Sequence, residues 1–173
     1  SLVSERSGKY GAAAKAGRLF SIANQGAVAT VAALATTGWT GLAVGNPTGS
    51  GIKIIMLQFG ISNEVIAQKE GVIGLMVSAT SLTASLTPLN RRPGGVASGA
   101  YATEGQTLVA PVLYDVCGSY DKTNTNLTAA SNAQVYDIDG SLILDEGQCV
   151  AAFFTLDSTA ALMMSFLWEE RDA

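Results

Sequence analysis

From residue 19 onward the chain is written in short runs of apolar and β-branched residues, punctuated by Gly, Asn, Asp, Pro and Ser. In "LFSIANQGAVATVAALATTGWTGLAVGNP" the alanines favour a helix. Gly26, Gly38, Gly41 and Gly45 interrupt it, and short strands tolerate such breaks where a long helix does not. "IKIIMLQFGIS" is Ile-rich and alternates or runs apolar, as a strand does. Strands are predicted at 40–45 and 52–62, joined as a hairpin, and at 71–80 and 107–114. Between the last two lies a Ser-, Thr-, Gly- and Pro-rich stretch, 81–106, read as one long contact loop centred on Arg91 and Arg92. The final third divides into 134–138, 141–144, 148–156 and 161–169. Asp139-Gly140, Asp145-Glu146-Gly147 and Asp157-Ser158-Thr159 mark its turns, and the pattern predicts a meander of adjacent antiparallel strands. Residues 1–18, "SLVSERSGKYGAAAKAGR", have no sustained period and read as an extended arm that orders on a partner. Many short strands without a 3.6-residue period predict an all-β fold. The expected architecture is an antiparallel β-sandwich, jelly-roll-like, over 19–173, preceded by the arm 1–18.

The glycine-rich stretch 45–51, "GNPTGSG", raises the question of a phosphate cradle. A P-loop needs G-x-x-x-x-G-K-[ST] followed by a helix. Here Lys53 comes too late, no Ser or Thr follows it, and the next residues are a strand. The stretch therefore reads as a turn: Asn46-Pro47 starts it, and Gly49 and Gly51 accept positive φ.

Composition turns this pattern toward assembly. Of the 173 residues 48% are hydrophobic and only 14% charged, which leaves a monomer's surface short of charge and predicts an oligomer. The apolar runs at 27–35 and 71–79 fall short of the roughly 18 residues needed to span a bilayer, so no membrane partner is expected. Basic residues do precede an Ala-rich run, but Asn24, Gln25, Gly26 and Thr30 interrupt the latter, which reads against a signal peptide. Positive charge concentrates before residue 100 and negative charge after it. The cations Arg6, Lys9, Lys15 and Arg18 are too dispersed for a nucleic-acid arm, and an arm lying on an acidic neighbour explains them better.

Chemistry is thinly represented. The chain has no histidine, which removes Ser-His-Asp and Cys-His catalysis, and its two cysteines make a poor zinc site. Cys117 and Cys149 read as buried small hydrophobes or as a disulfide. Asp137, Asp139, Asp145 and Glu146 lack the spacing of a calcium loop and read as turn carboxylates. Asp137 and Glu146, the best glycosidase pair on offer, are turn residues without a cleft. Trp39 and Trp168 fall inside strand-like runs, so core or interface is expected of them rather than a sugar platform. The expectation is a non-enzyme without catalytic residues, cofactor or metal.

The segments "FSIANQ", "TTGWTGLAVGNPTGSGIKIIMLQFGIS", "DIDGSLILDEGQCVAAFFT" and "FLWEE" together resemble a diffuse group of tailed-bacteriophage virion proteins. The resemblance covers about residues 19–170, and its motifs are structural. It implies a jelly-roll-like subunit of the phage particle, made in the host cytoplasm and carried as a head decoration or cement protein. Homotrimers and binding to the major capsid protein go with that reading. Arg6, Lys9, Lys15, Arg18, Arg91 and Arg92 are the candidate contacts. A tail or baseplate position, or a receptor- or carbohydrate-binding fibre tip, is the alternative.

Overall fold

The computed structural model describes residues 8–30, 38–63, 71–120, 134–155 and 162–173. After one helical turn, α1 (Gly11–Lys15), come ten strands: β1 (Leu19–Ala23), β2 (Thr40–Gly45), β3 (Ile52–Asn63), β4 (Gly71–Ser78) and β5 (Leu89–Asn90), then β6 (Tyr101–Gly105), β7 (Val112–Tyr120), β8 (Gln134–Leu144), β9 (Cys149–Phe154) and β10 (Leu162–Asp172). They form two five-stranded antiparallel sheets, β5-β1-β10-β3-β8 and β6-β2-β9-β4-β7, called here A and B. Without the short β5 and β6, the orders 1-10-3-8 and 2-9-4-7 are the connectivity of a jelly roll, and the all-β antiparallel sandwich is the fold class that the strand pattern predicts.

The alternation of β10 shows why the sheets close on each other. Leu162, Met164, Phe166 and Trp168 are buried between the sheets, and Met163, Ser165 and Leu167 are only partly covered. Phe166 faces Phe59 across β10–β3, ring centroids 4.9 Å apart, and Trp168 faces Phe20 across β10–β1 at 6.3 Å. These aromatic pairs stitch three strands over the inner face, where Leu42, Val44, Leu75 and Phe154 of sheet B meet them.

β9 is buried on both faces, which explains its unbroken apolar run. Val150, Ala152 and Phe154 enter the main core, whereas Cys149, Ala151 and Phe153 join a second cluster with Trp39, Met76, Leu82 and Leu108. Leu82 and Leu108 belong to the two ends of the long β4–β7 connection, and these ends lie over the outside of sheet B.

Five expectations need correction. The 40–45 and 52–62 strands exist but are not a hairpin: β2 lies in sheet B and β3 in sheet A, so residues 46–51 cross between sheets. For the same reason the last third is not a meander, because β8, β9 and β10 alternate between sheets. Period and turn signals specify where strands end, not which sheet each joins. Asp139 (φ 51°) and Gly140 (φ 80°) do form the tight turn, but it is pinched out of one continuing strand: Asp137 and Leu142, on either side of it, both pair with β3. The strand expected at 107–114 begins at Val112 instead, since Pro111 has no N–H to give a ladder, Ala110 has φ 40°, and Leu108 is spent on the outer cluster. The stretch 81–106 is no plain loop but contains β5 and β6.

The arm also differs. Its residues 1–7, with Arg6, lie outside the described residues. Residues 8–18 are not extended: with the helical turn α1 they cross the outside of sheet A, Ala13 buried against Leu19 and Leu57 beside Tyr10, Ala14 and Leu167.

Candidate functional site

The glycine-rich loop answers its own question, since its amides do hold an anion and that anion is the chain's own. Gly49 N and Gly51 N donate to Glu146 Oε2 and Oε1 at 2.9 and 2.8 Å. Pro47 to Ser50 make a turn closed by Ser50 N donating to Pro47 O at 3.2 Å, with Gly49 at φ 78° and Gly51 at φ 70°. Beneath them Asn46 is buried. Its Nδ2 donates to Ile52 O (2.7 Å) and Leu144 O (3.1 Å), and its Oδ1 accepts from Ser50 Oγ at 2.5 Å. One amide thus ties the end of β2 to the start of β3 and the end of β8.

The Gly49 amide, and after it that of Gly51, holds the Glu146 carboxyl below its ordinary value. A carboxyl depressed on folding contributes stability that is full above the ordinary value and is lost as pH falls through the lower, folded one. The expected result is a stability gap between wild type and Glu146→Gln that is open at neutral pH and closes in acid. Urea titrations from pH 7 to 3 measure it, and parallel curves for the two proteins would refute the assignment.

Of the six candidate contact residues, the structure gathers four. Arg92 Nη1 donates to Lys15 O at 3.0 Å, and Arg91 N donates to Leu19 O at 2.8 Å. Asn90 Nδ2 donates to Gly17 O and Val96 O, each at 2.9 Å, and its Oδ1 accepts from Arg92 N at 2.8 Å. Arg92-Pro93-Gly94-Gly95 is a hydrogen-bonded turn with Gly94 at φ 79°, so hydrogen bonds tie this loop at both its base and its tip. Residues 91–97 are all exposed, flanked by Leu89 at 60% and including Val96 at 71%. Arg18 completes the corner, its Nε 3.1 Å from Glu169 Oε1, which also takes Arg171 Nε at 3.0 Å. Ser98 Oγ, Gly99 N and Trp168 Nε1 all donate to the buried Glu170, pinning the loop's exit to β10.

Lys9 is carried to the other side of the sheet. Its Nζ lies 3.0 Å from Asp137 and 2.7 Å from Asp139 on the edge strand β8, and it holds the Asp137 carboxyl below the ordinary value. The carboxylates expected on a neighbour are, for Lys9 and Arg18, this chain's own.

That second edge is the part sequence reasoning missed. β7 and β8 close sheets B and A side by side, with Gln134 Nε2 donating to Ser119 O at 2.8 Å. Along 109–116 the side chains of Val109, Val112, Leu113, Tyr114 and Val116 are 37–61% exposed, and on β8 Val135 reaches 70% and Ile143 49%. Pro111 was the available signal, because a proline opening a strand marks a sheet edge. Cys117 and Cys149 are free thiols, and burial pushes them up to about 12 and about 11.

Trp39 and Trp168 are fully buried, as their strand-like settings predict. Among the described residues no three Asp, Glu or Cys side chains gather where one metal ion could hold them, and no helix is long and apolar enough to cross a membrane. No family model, curated protein or solved structure matches the chain.

Proposed function

We propose that this chain is a structural subunit of a tailed-phage particle: a decoration or cement protein that stands on the outside of the head as a homotrimer and binds the major capsid protein. The observation that carries the reading is the apolar strip 109–116, left open along the edge of a rigid jelly roll. An edge of that kind is a liability on a lone molecule and an asset on one that is covered in its assembly. The virion-like motifs read from the sequence and the hydrogen-bonded basic loop at 89–97 support the same reading. Such a subunit acts by adding buried area across junctions of the shell, and binding that favours the closed shell stabilises it by mass action.

Particle fractionation tests this. The protein is expected to sediment with purified heads, and adding it to heads that lack it should raise the temperature at which they release their contents. Sedimentation with tails would move it to the tail or fibre reading, and absence from particles would overturn the proposal. Glycan binding by the isolated protein would favour the receptor-binding alternative.

A further inference from the structure

A ring of copies needs two different surfaces on each copy, because a two-fold interface matches a patch to itself and stops at a dimer. The opposite edges of this sandwich differ in the way a ring requires. On the β5 side, among the described residues, the cations Lys15, Arg18, Arg91, Arg92 and Arg171 outnumber the carboxylates Glu169, Glu170 and Asp172. On the β7–β8 side, Asp115, Asp137 and Asp139 are met by Lys9 alone among the described residues. Each edge also exposes apolar side chains: Leu89 and Val96 on the first, Tyr114, Val116 and Val135 on the second.

Within one copy these edges cannot meet, since three strands lie between β5 and β8 and hold them about 19 Å apart. Nor is β7 shaped to extend its sheet onto another β7. Tyr114 and Cys117 are skipped in its pairing with β4, and such bulges break the row of backbone groups that edge-to-edge pairing uses. What remains available on β7 is its side chains.

We propose that loop 89–96 of one copy docks against the β7–β8 edge of the next. Arg91 and Arg92 face Asp115 and Asp137, and Leu89 and Val96 cover Tyr114 and Val116. The loop is already held by Asn90 and by its Pro-Gly turn, so little ordering is required on docking. This rests on the self-association in the proposed function and not on any phage shell.

The test uses two full-length variants, Arg91→Glu/Arg92→Glu in the loop and Tyr114→Asp/Val116→Asp in the edge. Light scattering of the wild type should give a closed oligomer, and of each variant alone a monomer with the wild-type circular dichroism spectrum. Mixed at equal and high concentration, the variants should form a one-to-one dimer that grows no further, because one intact loop then meets one intact edge. A monomeric wild type, a loop variant that stays oligomeric, or a mixture that stays monomeric would each overturn the proposal. Recovery of the dimer also shows that both variants fold. An oligomer that behaves in this way but never binds heads would sink the decoration reading and leave this interface standing.

Discussion

Replacing Asn46 with alanine is expected to destabilise the fold by about 3 to 5 kcal/mol, since each buried polar group left without a partner costs about 1 to 3 kcal/mol. The side chain is 1% exposed, and its removal takes the donor from Ile52 O and Leu144 O and the acceptor from Ser50 Oγ. Its backbone N–H still donates to Gln148 O at 2.8 Å and its carbonyl still accepts from Gly147 N at 2.7 Å, so the chain path survives while the tie between sheets is lost. Urea unfolding should show a lower midpoint with an unchanged slope. Asn46→Asp is the control for packing. It keeps the shape but turns an acceptor toward two carbonyls, and should cost at least as much as alanine. A loss below about 1 kcal/mol for alanine, or a mild aspartate, would mean that the amide network is not what holds this corner.

Trp39→Ala is expected to cost about 3 to 5 kcal/mol, the usual range for emptying a buried indole site. Trp39 is 0% exposed and its ring lies across Gly41, where a Cβ would stand 2.7 Å from Cζ2. Nε1 donates to Ala152 O at 3.2 Å, and Met76, Leu82, Leu108 and Phe153 complete the cluster. Because Leu82 and Leu108 come from the segment covering sheet B, amide exchange should speed up there and along β9 before it does in sheet A. Uniform loss of protection, or a stability change within about 0.5 kcal/mol, would count against the outer cluster as a separate anchor.

Local features of this fold were legible because they depend on neighbours in sequence. Gly49 and Gly51 adopt the positive φ that their turn was read to need, Asp139 and Gly140 form the tight turn that their pair signals, and the inward set of β10 follows from its period. Sheet membership was not legible, because the signals at 46–51 and 139–140 are the same whether the chain reverses, crosses between sheets or bulges. Leu108 and Val109 are adjacent apolar residues, yet one is buried in the outer cluster with Trp39 and Met76 and the other is 61% exposed. Only tertiary context separates them. The site shows the same limit. Arg18, Arg91 and Glu169 are far apart along the chain, and the pairing of β1 with β5 and β10 is what gathers them.

The central place of β10 in sheet A, between β1 and β3, has a consequence in time. During synthesis β1 and β3 emerge long before the strand that pairs with both, so each must wait with an open apolar face. Contacts this distant in sequence close slowly, and all-β sandwiches of the kind fold in milliseconds to seconds rather than microseconds. Chains crowded on one message would meet one another's unfinished sheets in that interval, the circumstance in which strands are exchanged between molecules. Refolding followed by tryptophan fluorescence, with and without residues 162–173, would time the wait.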